Sequence, residues 1–422
     1  MTEQQSNADF ECRGEYRYWR GDRNGDPEEA QLFLDHESLR MHAASGKLYQ
    51  FFLDDFLTIN PDNYRIQMSL ATGETVELFN LGFTFEDFLR EFMGRRNKVI
   101  IKQMLFHEKE REKFPGILYS SQRSDQREPL SGTCDLTLYE TGLVVTPEKN
   151  ELFRVPYADI MKITCEKYAA VIHLENRESL SFSMLGSRLD QLLRLLSEAL
   201  TELTQKASLL VRQLLPEGSP TFLQESSFIL REGHAASKKE LDHLDPRFWQ
   251  RLTEKILQTA SSEQFKFLSS RATAKEITIG YKQGLLGDLT GAYLFMLFPL
   301  SASAAIALET VALEEESAES KSEADMETGR ATYFFSLTEA DACRADWILK
   351  SLQEINFRRE PVYFDHSKLS EPRYRNYRKA VERLPLLRQL RERFIGRVMH
   401  RSPDQWLKEC EQLLAQKPKK EK

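Results

Sequence analysis

Residues 134–196 repeat residues 30–92 at a constant spacing of 104 positions, without one insertion. Leu32, Leu34 and Leu39 fall on Leu136, Leu138 and Leu143, and Asp55-Phe56 on Asp159-Ile160. Ile59 falls on Ile163, and Tyr64, Met68 and Leu70 on Tyr168, Ile172 and Leu174. Leu81-Gly82 matches Leu185-Gly186, and Phe88-Leu89 matches Leu192-Leu193. Few of these are identities. What is kept is the apolar rhythm, over some sixty residues, through strand period, turn and helix. A chain of this kind has to fold as at least two copies of one module.

Within each copy the period changes once. Leu32 and Leu34, and then Tyr64, Ile66, Met68 and Leu70, alternate with polar residues, which is the period of a half-buried strand. Asn60-Pro61-Asp62-Asn63 and Ala71-Thr72-Gly73-Glu74 read as turns. Phe85, Phe88, Leu89 and Phe92 then sit at helical spacing, with Thr84 as N-cap. In the second copy the helix follows Gly186, with Ser187 as N-cap and Leu189, Leu192, Leu193, Leu195, Leu196 and Leu200 inward. Strands followed by one amphipathic helix predict an antiparallel sheet closed by that helix. The modules are expected at 28–105 and 131–215, with 106–130, charged and turn-rich, as a linker with room for a short helix at its start.

The repeated step Asp55-Phe56-x-x-Ile59 and Asp159-Ile160-x-x-Ile163, together with Val155-Pro156-Tyr157-Ala158-Asp159-Ile160, resembles the pleckstrin-homology-like superfold in its tandem bacterial form. The resemblance is at the level of fold and covers the two modules. It implies bent antiparallel sheets, each closed by a C-terminal helix. It also raises the question of inositol-phosphate binding, which needs a Lys/Arg cluster around the first hairpin. The first copy has only Lys47 there, and the second only Lys149 between Glu148 and Glu151. The option that remains is docking of a protein on a helix or an open sheet edge.

The fold class expected is therefore α+β: two such modules, a third α+β domain at 221–360, and a basic helical tail at 361–422. In the third domain, 241–259 reads as one helix, Phe265-Phe267 as strand, and 276–281 as strand. Residues 289–308 carry no charge, but Pro299 sits at their centre, so they read as two strands joined by a turn rather than as a membrane span. Residues 314–329 are acidic and read as a hairpin loop, 330–337 as strand, and 338–355 as helix. Strands followed by a helix again suggest a diverged third copy.

Most enzyme chemistries lack their residues. There is no GxxxxGK[ST], HExxH or GxSxG, and the glycines of 284–291 lack the lysine and helix that a phosphate loop needs. Asp22 to Asp26 begins like a calcium loop but has Pro27 at the sixth position and Phe33 at the twelfth, so it reads as a turn. The histidines are dispersed; His234, His243 and Asp245 form the nearest cluster, and Asp245 reads as a helix cap before Pro246. Asp54 and Asp55, as neighbours on a strand, would face opposite sides. The five cysteines are scattered, with no CxxC pair, which fits a reducing, cytoplasmic setting.

Net charge is −7, but the C-terminal segment is basic. Arg373, Arg375, Arg378, Lys379, Arg383, Arg391 and Arg397 are its candidate binding residues, for an acidic partner or nucleic acid. The opposing reading is a solvated helical face, or one docked on the acidic loop. The expectation is a non-enzymatic scaffold or adaptor that binds another protein through its tandem modules, without cofactor, metal or membrane; the alternative is nucleic-acid association through the basic segment.

Overall fold

The computed structural model describes residues 10–415 apart from 22–24, 106–107, 123–129, 260, 273–275, 285–290, 302–303, 312–330, 339–344, 355–359 and 401. The first module consists of β1 (Phe10–Arg20), β2 (Glu28–Leu34), β3 (Ser38–Ala43) and β4 (Leu48–Phe52). A 3-10 turn (Leu53–Asp55) then leads to β5 (Phe56–Asp62), β6 (Arg65–Leu70), β7 (Glu74–Phe79) and helix α1 (Phe85–Leu105). The second module consists of β8 (Glu110–Gln122), β9 (Leu130–Tyr139), β10 (Gly142–Pro147) and β11 (Phe153–Pro156). The equivalent turn (Tyr157–Asp159) leads to β12 (Ile160–Glu166), β13 (Ala169–Leu174), β14 (Ser179–Ser183) and helix α2 (Leu189–Leu214). Each sheet has seven strands, in the orders β4-β3-β2-β1-β7-β6-β5 and β11-β10-β9-β8-β14-β13-β12.

The backbones repeat in detail. Asn63, Tyr64 and Asn80 have positive φ, and so do Lys167, Tyr168 and Met184, each 104 residues on. Both edge strands carry a bulge at the same place, at Leu57 and Met161. The cores match residue for residue: Phe56, Met68, Phe88 and Phe92 are fully buried, as are Ile160, Ile172, Leu192 and Leu196. Aromatic volume in one copy is replaced by aliphatic volume in the other, within the same pattern, which cores tolerate when the volume is made up elsewhere. Both helices are entered through a 3-10 turn (Gly82–Thr84 and Gly186–Arg188). Thr84 bonds back to the Leu81 carbonyl, and α2 begins after Arg188 with no side-chain cap, so the expected N-caps are not used.

The modules begin earlier than the sequence boundaries suggested. The segment 106–130 is not a linker: it holds β8, a central strand. Tyr16 pairs with Glu28 and Leu78, and Tyr119 with Gly132 and Phe182, so the two buried tyrosines are equivalent, one residue short of the repeat spacing. The first module likewise starts at Phe10 rather than at residue 28.

The third domain comprises α3 (Pro220–Ile229), β15 (Ala235–Ser237), α4 (Lys238–Leu244), α5 (Pro246–Ile256), α6 (Ser262–Ser269), β16 (Thr278–Gly284), β17 (Gly291–Ser301), β18 (Ala304–Val311) and β19 (Ala331–Ser336). It continues with α7 (Asp346–Glu354), α8 (Arg375–Arg383), α9 (Pro385–Arg393), β20 (Phe394–Met399) and α10 (Pro403–Ala415). Its six strands lie side by side in chain order. The modules instead pair their first strand with their last, so the third domain is not a third copy. Residues 361–422 are not a helical tail, because β20 pairs with β19 and completes this sheet. Phe265-Phe267 lies in a helix, with Phe265 and Leu268 buried one turn apart. The expected helix 241–259 is two helices, broken at Pro246, with Asp245 accepting from the Arg247 N–H as the cap of the second. The acidic segment 314–329, most of the glycine-rich turn and the start of the calcium-like loop lie outside the described residues.

The charge-free stretch now has a physical reason. Along β17, Leu294, Met296 and Phe298 face one core, with Phe248, Leu252 and Phe265. Phe295 and Leu297 face a second core, with Ile348, Leu352, Leu387 and Leu390. A strand covered on both faces reads as a continuous apolar run. Among the described residues, no helix is long and apolar enough to cross a membrane.

Because β1 lies at the centre of its sheet, removing residues 1–27 from the chain should abolish the first module's cooperative unfolding transition, as followed by calorimetry. A chain that begins at residue 28 and keeps that transition would contradict the assignment of β1.

Candidate functional site

At the middle of the 3-10 turn that joins the two halves of each module stands one carbonyl that accepts from outside the module, that of Asp54 in the first module and of Ala158 in the second. In each module a guanidinium from the third domain meets that carbonyl. Arg383 Nη2 donates to Asp54 O at 2.7 Å, and Lys379 Nζ at 3.2 Å. Arg231 donates to Ala158 O from Nε at 2.9 Å and from Nη2 at 2.6 Å. The duplicated turn is therefore a docking point in both copies, and the chain itself fills it.

On the first module the docking element is α8. Its Arg375, Lys379 and Arg383 are four residues apart and so share one helix face. Arg375 Nη2 donates to both oxygens of Asp54, at 2.6 and 2.9 Å. Lys379 is buried, and its Nζ lies 2.6 Å from Asp55 Oδ1 and 3.9 Å from Asp54 Oδ2. The two carboxylates do converge, contrary to the strand-based expectation, because they sit in a 3-10 turn. Gln103 of α1 donates to Asp54 Oδ2 at 2.8 Å. Beside them Glu151 of the second module accepts from Arg383 and from the fully buried Arg96, tying both modules and the third domain together. Burial pushes the Arg96 guanidinium down to about 10.

Of the seven basic residues singled out, these three face the first module. Arg391 donates to the carbonyls of Val362 and Phe364 at 2.6 and 2.7 Å. Arg373 pairs with Glu371, Arg378 lies 3.8 Å from Glu382, and Arg397 lies over the Tyr363 ring. The structure does not gather the seven into one patch.

On the second module four consecutive residues dock; of these the sequence singled out only His234, in a His/Asp cluster that it set aside. Arg231 holds the Ala158 carbonyl and covers the Phe228 ring. Glu232 Oε2 lies 2.7 Å from Lys206 Nζ of α2. Gly233 has a φ of +90°, and a Cβ there would come within 2.8 Å of Ala158 Cβ, so only glycine fits. His234 Nε2 lies 3.4 Å from Glu175 Oε1, which also places it at the junction. Its Nδ1 lies 2.7 Å from the Ile229 carbonyl, which can only accept, so Nδ1 carries a proton and Nε2 donates to Glu175 when the ring is charged. Lys350 of α7 donates to Glu175 Oε2 at 2.6 Å. The signal in the sequence was a charged Arg-Glu-Gly-His run set between Ile229-Leu230 and Ala235-Ala236, without strand or helix period.

These contacts border a cleft of about 490 Å³ between the second module and the third domain, lined by Arg154, Asp159, Glu175, Lys282, Lys350 and Gln353 among others. Lys282 is buried and donates to the Gln353 carbonyl. The hydrogen bond with His234, and then Lys350, hold Glu175 down at about 2, whereas burial raises the Asp159 carboxyl. Two carboxylates with opposed environments in a cleft are a feature of functional sites, and of structural ion networks too. Among the described residues, no group of His, Cys, Asp or Glu could hold a metal ion.

Three outcomes follow for stability. Arg231→Ala should destabilise the chain by roughly 2–4 kcal/mol, since it leaves a buried carbonyl unpaired. Arg231→Lys should restore less than half of this, because one ammonium cannot reproduce the planar fork; denaturant titration measures both. Glu175 has a depressed folded-state pKa, so its contribution is present above its unfolded value near 4.3 and lost as pH falls toward about 2. Glu175→Gln should therefore be less stable than the parent at neutral pH, and the gap should close over that window. Asp159 has the opposite sign: its raised pKa favours the fold at low pH and opposes it as the group ionises, so Asp159→Asn should stabilise the neutral-pH protein.

No family model matches the chain, and no curated protein matches it. Among solved structures it is similar to the C-terminal domain of an unknown protein from Leishmania infantum, at 14% identity and a TM-score of 0.20, over 24% of this chain and 96% of that one. It is also similar to the Spt16D–Pob3N heterodimer, at 8% identity and a TM-score of 0.16, over 39% of this chain and 83% of that one. The two seven-stranded antiparallel sheets, each followed by a helix, are the architecture that the pleckstrin-homology-like resemblance implies.

Proposed function

We propose that the protein is a non-catalytic scaffold that binds another protein through its tandem modules. The observation that carries this is a pair of exposed apolar groups kept at equivalent places in two otherwise divergent copies. Leu57 and Met161, the bulged residues of β5 and β12, are 43% and 44% exposed. Tyr64 and Tyr168, at the following hairpins, are 72% and 89% exposed, each with positive φ. A tyrosine gains nothing from that backbone conformation on its own. Both strands are sheet edges, where a partner strand can add. Pro61 removes one N–H from the β5 edge, while β12 has no proline, so β12 is the better template.

The nucleic-acid alternative has less support. Arg375, Lys379, Arg383 and Arg391 spend their donors on carboxylates and carbonyls of the same chain, and those donors are what a phosphate would need.

Tyr168→Asp keeps a residue type that tolerates positive φ and adds charge to the edge. It should weaken partner capture from the native source about tenfold or more while leaving the unfolding transition in place. The same partner held equally well by Tyr168→Asp and Tyr64→Asp chains would refute the reading. A salt-dependent shift of DNA or RNA, lost in Arg373→Ala/Arg378→Ala, would favour the alternative.

A further inference from the structure

The duplication allows one module to be used as a template for the other. In the second module, the third domain forms the far wall of the groove between α2 and the β9–β10 turn, and the cleft described above is what remains open. Thr141 and Leu203 line it together with Glu232, Gly233, Lys350 and Gln353, and Lys206 of α2 binds the incoming Glu232 at 2.7 Å. The equivalent groove of the first module lies between α1 and the β2–β3 turn. It has a volume of about 410 Å³, and its lining residues all belong to that module. Glu37, Val99 and Lys102 take the places of Thr141, Leu203 and Lys206.

The charge has changed between the copies. Lys98 stands where the second module has Glu202, and His36 where it has Glu140. Glu202 is neutralised within its own module by Arg111, at 2.6 Å. In the first groove Glu91 is held by Arg95 and Arg90 by Asp87. With those two pairs set aside, Lys98 and Lys102, exposed one turn apart on α1, share the groove lining with the carboxylate of Glu37. One turn before Lys98 the same face of α1 is bare. Gly94 replaces the glutamate of the second copy (Glu198), and nothing lies within 4 Å of where its Cβ would be. A glycine in mid-helix costs roughly 1 kcal/mol against alanine, and no packing neighbour here requires it.

We infer that this groove docks an acidic peptide segment of a protein partner, which reaches Lys102 and Lys98 as Glu232 reaches Lys206. The inference rests on the protein-binding reading above and names the chemistry of the partner and a second surface for it. A carboxylate entering the groove would form charge-assisted contacts on a half-enclosed surface, where they count for more than in open water.

The test uses the full chain and a fluorescent oligoglutamate peptide, with an oligoglutamine peptide of equal length as control. At low salt the glutamate peptide should bind and the glutamine peptide should not, with affinity falling as salt rises. Lys98→Glu/Lys102→Glu should weaken binding about tenfold or more. Lys98→Glu copies the residue that the second module carries in a formed helix, so the fold is expected to survive. The matched reversal Lys239→Glu/Lys255→Glu, on the third domain, should leave binding unchanged. Equal affinity for both peptides, or equal binding by the parent and the Lys98→Glu/Lys102→Glu chain, overturns the inference. Partner capture that still depends on Tyr168 in that case would leave the scaffold reading standing, so the two can fail separately.

Discussion

A buried peptide carbonyl has to find a donor, and in this protein two such carbonyls organise the whole chain. Each module reverses direction at a 3-10 turn, and the turn cannot continue the strand ladder at its middle residue. Left dry and unpaired, that carbonyl would cost about 1–3 kcal/mol. The chain meets the demand in both copies with an arginine from its third domain, Arg383 at Asp54 and Arg231 at Ala158. The same bonds that satisfy the turns fix where the third domain sits, so local backbone chemistry and domain arrangement are one constraint.

The two solutions differ in kind. The first module supplies carboxylates, so Asp54 and Asp55 are matched by three cations on one helix face, with Arg375 still partly open to water. The second module has Ala158 where the first has Asp54. There the contact is close packing, made possible by Gly233, with the charges moved outward to Glu175, His234 and Lys350. Desolvation of Arg231 costs less than it would for an isolated cation, because Asp159 and Glu175 lie near it. Duplication followed by divergence has kept the docking position and exchanged its chemistry.

The repeat was legible because alternation and helical spacing survive substitution of one apolar residue by another. The first strand of the second copy was not, for a specific reason. In β8 the buried residues are Phe114, Ile117, Tyr119 and Ser121; a bulge at Pro115-Gly116 shifts the register after Phe114, the exposed Leu118 interrupts the apolar alternation and the last buried position is a serine, so the sequence shows no clean period of two, and charged residues precede it. The strand β20 was hidden for another reason: it follows two basic helices whose spacing runs into it. The basic residues themselves were visible, but not their partners. Arg375 and Asp54 are 321 positions apart, and nothing in a charge pattern says which distant carboxylate a helix face will meet. Asp54 and Asp55 were misread because a strand was assumed where the chain makes a turn, and the turn is what lets both side chains reach Lys379.

The basic segment therefore changes its meaning. Read alone, ten cationic residues over thirty positions suggest a surface for an anion. In the fold, three of them close an ion network that only exists once β20 has completed the third sheet and held α8 and α9 in place. β20 is anchored by pairing with β19, and α9 by Leu387 and Leu390 in the second core. α8 thus reaches the first module from a rigid base, while the Arg231–His234 run reaches the second module from the opposite edge of the same sheet, beside β15. A sheet gripping two modules from its two edges leaves little freedom between them. Surfaces left over, such as the β12 edge and the α1 groove, are then presented at fixed separation, which is the physical condition for binding one partner at two points without a large loss of entropy.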